Sequence, residues 1–98
     1  MTKWTVYITP CALRDIKDLP GHMRQRVKRA IDALADNPRP ADSKALNAPE
    51  DLPYEVCRLR LDKWRVLYAV TEEDNAIDVL AVRKRPPYDY GDLERLLQ

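Results

Sequence analysis

The sequence predicts a small α+β domain in which two helices follow one strand and precede three more. Apolar residues alternate with polar ones over residues 3–9, which is the period of a strand, whereas over 10–36 they recur with the period of a helix. Strand-like alternation then returns three times between residues 54 and 84. The predicted order is β-α-α-β-β-β in a single domain covering residues 1–98, and its short connections favour a mainly antiparallel sheet.

The first strand leads into the first helix through a threonine–proline pair. Thr9 followed by Pro10 is typical of a helix N-cap with proline at the first helical position, where its missing amide leaves no hydrogen bond unmade. The helix is expected to stop at Leu19-Pro20-Gly21. The residues of these two elements expected to face the core are Trp4, Val6, Ile8, Ala12, Leu13 and Ile16.

A second helix is predicted from about His22 to Asp36, because its apolar residues follow the i, i+4, i+7, i+8, i+11 spacing. Asn37-Pro38-Arg39-Pro40 ends it, since proline supplies no amide and restricts the residue before it. Residues 37–53 contain four prolines and no periodic pattern, so they are predicted to form a loop. The two helices should form an antiparallel hairpin on one face of the sheet. The residues expected in its core are Met23, Val27, Ala30, Ile31 and Leu34.

Three successive strands are predicted over residues 54–61, 64–71 and 76–84, joined by short polar turns. Pro86-Pro87 breaks the last of them. Residues 90–98 contain three leucines and are expected to form a short terminal helix or tail.

Composition bounds the class of protein without identifying it. The chain has a net charge of +1, and its 45% hydrophobic and 34% charged residues are ordinary for a soluble domain. Total charge therefore gives no argument for a nucleic-acid partner, and any such argument rests on the local basic runs over residues 24–29, 58–65 and 83–85. Cys11 and Cys57 are too far apart for a CxxC pair, so both are expected to be reduced core residues. No signal peptide or membrane span is predicted, which favours a cytoplasmic protein.

Arginines at alternate positions predict a cationic sheet face. Arg58 and Arg60 lie two residues apart and so project from one face of their strand. Arg65 lies opposite the apolar face of the next strand, so all three should converge on the side of the sheet that the helices leave uncovered. Unpaired arginine is costly to bury, and guanidinium groups donate planar forks to phosphate oxygens. This face therefore suggests a domain that binds or acts on RNA, the alternative being strands with solvated surface charge.

The phase of the last strand is ambiguous. Under strict alternation Ile77, Val79 and Ala81 share a face with Arg83 and Arg85. A β-bulge, or the end of pairing at Arg83, would resolve the conflict. Arg85 stands just before the double proline, where it could curl over the same concavity as the other arginines.

Four motifs stand in a characteristic order along the chain: Lys44-Ala45-Leu46, Arg58-Leu59-Arg60, Trp64-Arg65-Val66-Leu67-Tyr68, and Val82-Arg83-Lys84-Arg85 followed by tyrosines. With these motifs in this order the chain resembles the RelE/ParE superfamily, the toxins of bacterial and archaeal toxin–antitoxin pairs. The resemblance covers nearly the whole chain, including the N-terminal strand and the amphipathic pair of helices.

The resemblance to the RelE-like branch implies a ribosome-dependent endoribonuclease that cuts mRNA without a metal or another cofactor. A ribose 2′-hydroxyl would attack the adjacent phosphate, which requires a base, cations for the pentacoordinate phosphate and an acid for the leaving oxygen. By position Arg65 would contact the scissile phosphate, Arg85 would support the leaving group, and Tyr88 or Tyr90 would stack on or orient the substrate. The catalytic set so implied is Arg58, Arg65, Arg85 and Tyr88, and the substrate-binding set is Lys44, Arg60, Lys84 and Tyr90.

The base is the open question in this set. Arg58 stands where the family often has lysine, and an arginine, with a pKa above about 12, is a poor general base. Either another group takes the proton, with Lys44, Lys63, Lys84 and the tyrosines as candidates, or positioning of the substrate alone must suffice. The alternatives are a ParE-like inhibitor of DNA gyrase and a non-catalytic module that binds an antitoxin or nucleic acid. The partners implied are a cognate antitoxin in a hetero-oligomer, the ribosome and mRNA.

Overall fold

A computed structural model of the chain describes residues 4–46 and 54–84, and these form two helices packed on a five-stranded mixed sheet. The strand order is β1-β5-β4-β3-β2, in which β1 and β5 are parallel and every other pair is antiparallel. The predicted α+β class and the predicted helices are confirmed. Neither helix in the described ranges has the length and apolarity to span a bilayer. The elements are β1 (Thr5–Ile8), α1 (Pro10–Lys17), α2 (Gly21–Leu34), β2 (Ser43–Ala45), β3 (Glu55–Leu61), β4 (Trp64–Thr71) and β5 (Ala76–Lys84).

Thr9 begins α1 as predicted. Its extended backbone (φ −66°, ψ 158°) places the hydroxyl oxygen 3.2 Å from the Ala12 amide, which donates to it. The predicted burial of Ile8 and Leu13 is wrong, because they are 40% and 42% exposed. Ile8 ends an edge strand, and Leu13 lies beside the α1 stripe that packs inward, so neither is fully covered.

Both helices pack on one face of the sheet, which we call the helix-side face. Its apolar residues and those of the helices form one core, in which Tyr68 is the largest fully buried side chain. The helix residues in that core are Ala12, Ile16, Met23, Val27, Ile31 and Leu34, and the sheet residues are Cys57, Leu59, Val66, Tyr68, Val70, Ile77, Val79 and Val82. The predicted helical stripe over residues 22–36 is confirmed, with Ala30 partly buried at its margin.

A β-bulge resolves the phase of the last strand. Leu67 pairs with Ala81 whereas Tyr68 pairs with Val79, so Leu80 is an extra residue in β5. Val79 therefore faces the helices, while Ala81 and Arg83 face the opposite side of the sheet. The predicted alternative of a β-bulge is therefore correct, and the other alternative, that pairing ends at Arg83, is wrong because pairing continues to Lys84.

The prediction that residues 37–53 are entirely loop is wrong at β2. Ser43–Ala45 pair antiparallel with β3, and the Leu46 amide continues the ladder by donating to the Val56 carbonyl at 2.8 Å. A three-residue strand is too short to show periodicity, and its partner lies more than ten residues away along the chain. This strand places Lys44 directly opposite Arg58.

We call the sheet face away from the helices the open face. The sequence predicts that this face is uncovered, but part of it is covered. One end of it carries a second apolar cluster, against which Leu46 and Tyr54 pack. Its buried members are Val56, Leu67, Ala69, Leu80 and Ala81. Among residues 4–46 and 54–84, the cationic residues of the open face lie at its other end, towards the turn between β3 and β4.

Candidate functional site

Five cationic residues on four strands lie at one end of the open face. We call this group the cationic patch: Lys44, Arg58, Arg60, Arg65 and Arg83. Strand register arranges them in two adjacent rows. Lys44 is paired with Arg58 in one row. Arg65 is paired with Arg60 on one side and with Arg83 on the other, which forms the second row. Directly paired residues share a face, so all five project from the same side.

The outer members of the cationic patch are accessible to a ligand. Lys44 and Arg60 are exposed, and Arg58 is half-buried between them. The register of β3 and β4 places Arg58, Arg60 and Arg65 on the same face of the sheet, as predicted. Like charges on neighbouring strands repel each other, so a polyanion placed over this surface would relieve an existing repulsion.

Arg65 is buried in the centre of its row and is only 6% exposed. Its Nη1 donates to the carbonyl oxygens of Asp62 and Trp64, each at 2.9 Å. Asp62 has φ 56°, in the left-handed region, so these bonds brace the turn that joins β3 to β4. Arg65 Nε is buried without a hydrogen-bond partner in the part of the chain that the structure describes. In this conformation Arg65 supports the turn and contributes its charge from beneath the surface.

Arg83 is held at the other end of the row by a carboxylate that the sequence reasoning did not single out. Asp15 Oδ2 lies 3.7 Å from Arg83 Nε and also accepts a hydrogen bond from the Val82 amide at 3.0 Å. Asp15 is in α1, 67 residues away from Val82, and no spacing rule links the two positions.

The remaining candidates do not join this group. Lys84 is paired with Trp64 on the helix-side face, opposite to the face of Arg83. Lys63 is exposed in the turn between β3 and β4. Arg85, Tyr88 and Tyr90 lie outside the described residues.

A buried tyrosine fixes the segment that leads into β2. Tyr68 is fully buried, and its hydroxyl donates to the Pro38 carbonyl oxygen at 2.7 Å. Burial raises the pKa of Tyr68 to about 12, so this phenol cannot serve as a base at neutral pH. Because Pro38 precedes β2 by a few residues, this bond helps to place Lys44 beside Arg58.

A chain of polar contacts extends from the same core to the surface. Cys57 Sγ donates to Glu55 Oε1 at 3.2 Å, and burial, reinforced by this bond, raises the pKa of the thiol to about 12. Arg39 bridges Glu55 at 3.3 Å and Glu72 at 2.9 Å. Hydrogen bonds from Cys57 and then Arg39 lower the pKa of the Glu55 carboxyl. These contacts tie the segment after α2 to β3 and to the turn after β4.

The sequence and the fold of the chain have counterparts among known proteins. The family described as the ParE toxin of the type II toxin–antitoxin system parDE matches residues 6–86. The chain belongs to the RelE/ParE toxin superfamily. A candidate toxin, RelE1 of Methanocaldococcus jannaschii, is 35% identical over 86 residues, which cover 85% of this chain and 91% of that protein. The chain is thus a RelE-type toxin by sequence, as its motifs suggested.

Two solved structures extend the superfamily assignment to three dimensions. The RelE–RelB complex from Pyrococcus horikoshii gives a TM-score of 0.77 at 27% identity, over 90% of this chain and 100% of that one. The RelBE2 toxin–antitoxin complex from Mycobacterium tuberculosis gives 0.69 at 28% identity, over 87% and 94% of the two chains. The β1-β5-β4-β3-β2 sheet with its two helices is therefore a RelE-type fold.

Proposed function

We propose that this RelE-type toxin is a metal-independent endoribonuclease that cuts mRNA on the ribosome, with the cationic patch as its RNA-binding surface. The observation that carries the proposal is the register that brings Lys44, Arg58 and Arg60 together on one accessible surface. Guanidinium groups in this arrangement can donate paired hydrogen bonds to successive phosphate oxygens. The small net charge of the chain, +1, is no obstacle, because a bound phosphate responds mainly to the local potential.

The reaction requires charge stabilisation that this surface can supply. Attack by a 2′-hydroxyl on the adjacent phosphorus forms the 2′,3′-cyclic phosphate and breaks the bond to the 5′-oxygen, which leaves as a hydroxyl after protonation. Negative charge builds up on the phosphoryl oxygens in the transition state, and preorganised cations stabilise it. We assign this role to Arg58 and Arg60, assisted from beneath by Arg65. Arg85 would support the leaving oxygen, and Tyr88 or Tyr90 would orient the adjacent base.

Among the described residues we propose Lys44 as the group that accepts the 2′-hydroxyl proton. A lysine can release and accept a proton in catalysis, whereas a guanidinium remains protonated. Lys44 lies opposite Arg58, so one phosphate could be held by the arginine while its ribose faces the amine. Lys84 lies on the helix-side face and the Tyr68 hydroxyl is buried on that same side, which argues against both.

The test is cleavage of a defined mRNA on purified ribosomes, with the termini mapped by primer extension and the cyclic phosphate identified chemically. We expect Arg58→Ala and Lys44→Ala each to lower kcat about 10²- to 10³-fold, as for the loss of one preorganised transition-state contact. Lys84→Ala is the matched control, because it removes one exposed cation from the same sheet but from the other face, and it should stay within about threefold. Equal losses in Lys84→Ala and Arg58→Ala would refute the site.

A gyrase inhibitor is the second candidate, and the match to the ParE toxin family favours it. The same purified toxin should then leave ribosome-bound mRNA intact and cause gyrase–DNA breaks to accumulate. If neither activity is found, the chain is a binding module whose cationic patch serves only its partners.

We further propose a cognate antitoxin as the partner, in a hetero-oligomer that holds the toxin inactive in the cytoplasm. Both the Pyrococcus and the Mycobacterium structures are of toxin–antitoxin complexes. An acidic antitoxin segment lying on the cationic patch would compete directly with RNA phosphates. Expression of the toxin alone should arrest growth, and co-expression of the adjacent reading frame should relieve the arrest. An affinity between purified toxin and antitoxin that stays the same when Arg58 and Arg60 are both replaced by alanine would argue against this mode of inhibition.

A further inference from the structure

We propose that Asp15 is a positioning residue for the cationic patch, which it serves by fixing the end of β5 and the guanidinium of Arg83. The inference rests on the proposed function, since it assumes that the patch binds RNA. Its basis is a single carboxylate oxygen with two neighbours, the Val82 amide at 3.0 Å and Arg83 Nε at 3.7 Å. One α1 side chain thereby contacts both the backbone and a side chain of the strand that carries the last cation of the row.

The backbone contact lies where β5 loses its neighbouring strand. β1 pairs with β5 only as far as Val79, and the bulge at Leu80 follows. Thr9 Oγ1 donates to the Val79 carbonyl at 2.8 Å, and Asp15 then accepts from the Val82 amide on the same edge. α1 thus replaces β1 as the hydrogen-bonding partner of β5, in a region where an edge amide would otherwise be exposed.

The side-chain contact lies at the end of the repulsive row. Arg83 is the cross-strand neighbour of Arg65, which is itself paired with Arg60, so three cations stand side by side. Asp15 and Arg83 are both partly buried, which limits screening of their interaction by water. The carboxylate draws the guanidinium towards α1 and gives β5 a fixed course at Arg83, two residues before Arg85 in the sequence.

Two substitutions separate the contacts that Asp15 makes. Asp15→Asn keeps an oxygen that can accept from the Val82 amide but removes the charge, whereas Asp15→Ala removes both. Asp18→Asn is the matched control, because Asp18 is an exposed acid at the C-cap of the same helix. Should the alanine variant fail to fold, the asparagine variant still carries the test.

The experiment is a double-mutant cycle between Asp15→Asn and Arg83→Gln, read out by mRNA cleavage on ribosomes and by the affinity for a single-stranded RNA oligonucleotide. We expect Asp15→Asn to lower kcat about three- to tenfold without raising KM, because losing an acid beside the patch cannot weaken its attraction for RNA. In the Arg83→Gln background the same change should have no effect, and Asp18→Asn should be silent in both backgrounds.

The result separates the inference from the proposed function. A wild-type toxin that does not cleave mRNA would refute the proposed nuclease, while the affinity cycle would still measure the coupling of Asp15 to Arg83. Effects of Asp15→Asn and Arg83→Gln that multiply independently, to within a factor of about 1.5, in both readouts would overturn the positioning role. A fall in kcat matched by an equal loss of folded protein would overturn it as well.

Discussion

Removing the hydroxyl of Tyr68 should destabilise the fold and misplace Lys44 at the same time. In Tyr68→Phe the ring can remain in the helix-side core, but the 2.7 Å hydrogen bond to the Pro38 carbonyl is lost. A net hydrogen bond is worth about 0.5–1.5 kcal/mol, and a carbonyl left partly buried without its donor adds to that cost. We therefore expect a loss of about 1–2 kcal/mol in the free energy of unfolding. In a domain of this size that lowers Tm by roughly 4–8 °C per kcal/mol.

The assay for Tyr68→Phe is urea unfolding followed by tryptophan fluorescence, with Tyr7→Phe as the matched control. Tyr7 is 57% exposed, so loss of its hydroxyl should change stability by less than about 0.5 kcal/mol. The denaturant midpoint of Tyr68→Phe should fall with an unchanged m-value. Amide exchange over Ser43–Ala45 should accelerate, because the segment from Pro38 to β2 loses its attachment to the core. Equal midpoints for the two variants would refute the reasoning.

Three further outcomes follow from the same contacts. The free energy of unfolding should fall as pH rises from about 9 to 12, because Cys57 and Tyr68 have pKa values near 9.0 and 10.0 in the unfolded chain but about 12 in the folded protein. Cys57→Ala should make this decline shallower in unfolding curves measured across that pH range. A decline as steep as that of the wild type would contradict the role of Cys57. In the native protein the Cys57 thiol should resist a disulfide reagent at pH 8, in a Cys11→Ser background that removes the other cysteine, and should react fully in denaturant. Arg60→Ala should make the plot of log RNA affinity against log salt concentration shallower by roughly 0.7, as expected for the loss of one phosphate contact to a single strand. An unchanged slope would show that Arg60 is not part of the proposed RNA-binding surface.

Local pattern was sufficient for most of the fold. The ends of β3, β4 and β5 were predicted to within one residue, because alternation and polar turns mark them directly. The N-cap at Thr9 followed from a two-residue signal that is satisfied within the first turn. The bulge was foreseen as one of two solutions, since Ile77 and Arg83 could not share a face without a cost in burial.

Features that depend on distant pairing were not predictable. β2 forms because three residues pair with β3, and the sequence of those three residues alone does not predict a strand. Arg65 was correctly placed on the open face, but its burial and its bonds to the turn carbonyls depend on the hairpin geometry. Asp15 reaches β5 across 67 positions, and its neighbours in sequence suggest only an exposed helical acid.

The cationic patch links binding to stability. Arg60, Arg65 and Arg83 stand in one row, and Arg65 Nε is buried without a partner among the described residues, so this end of the sheet is assembled at an electrostatic cost. Packing of the helix-side core on the other face offsets that cost, so the folded protein can keep these like charges close together. An anion that binds only the folded state raises the free energy of unfolding by RT ln(1 + [L]/Kd), where [L] is the anion concentration and Kd its dissociation constant. The repulsion that weakens the free toxin therefore favours any polyanionic occupant of the patch, so an acidic antitoxin segment and RNA would compete for the same source of binding energy.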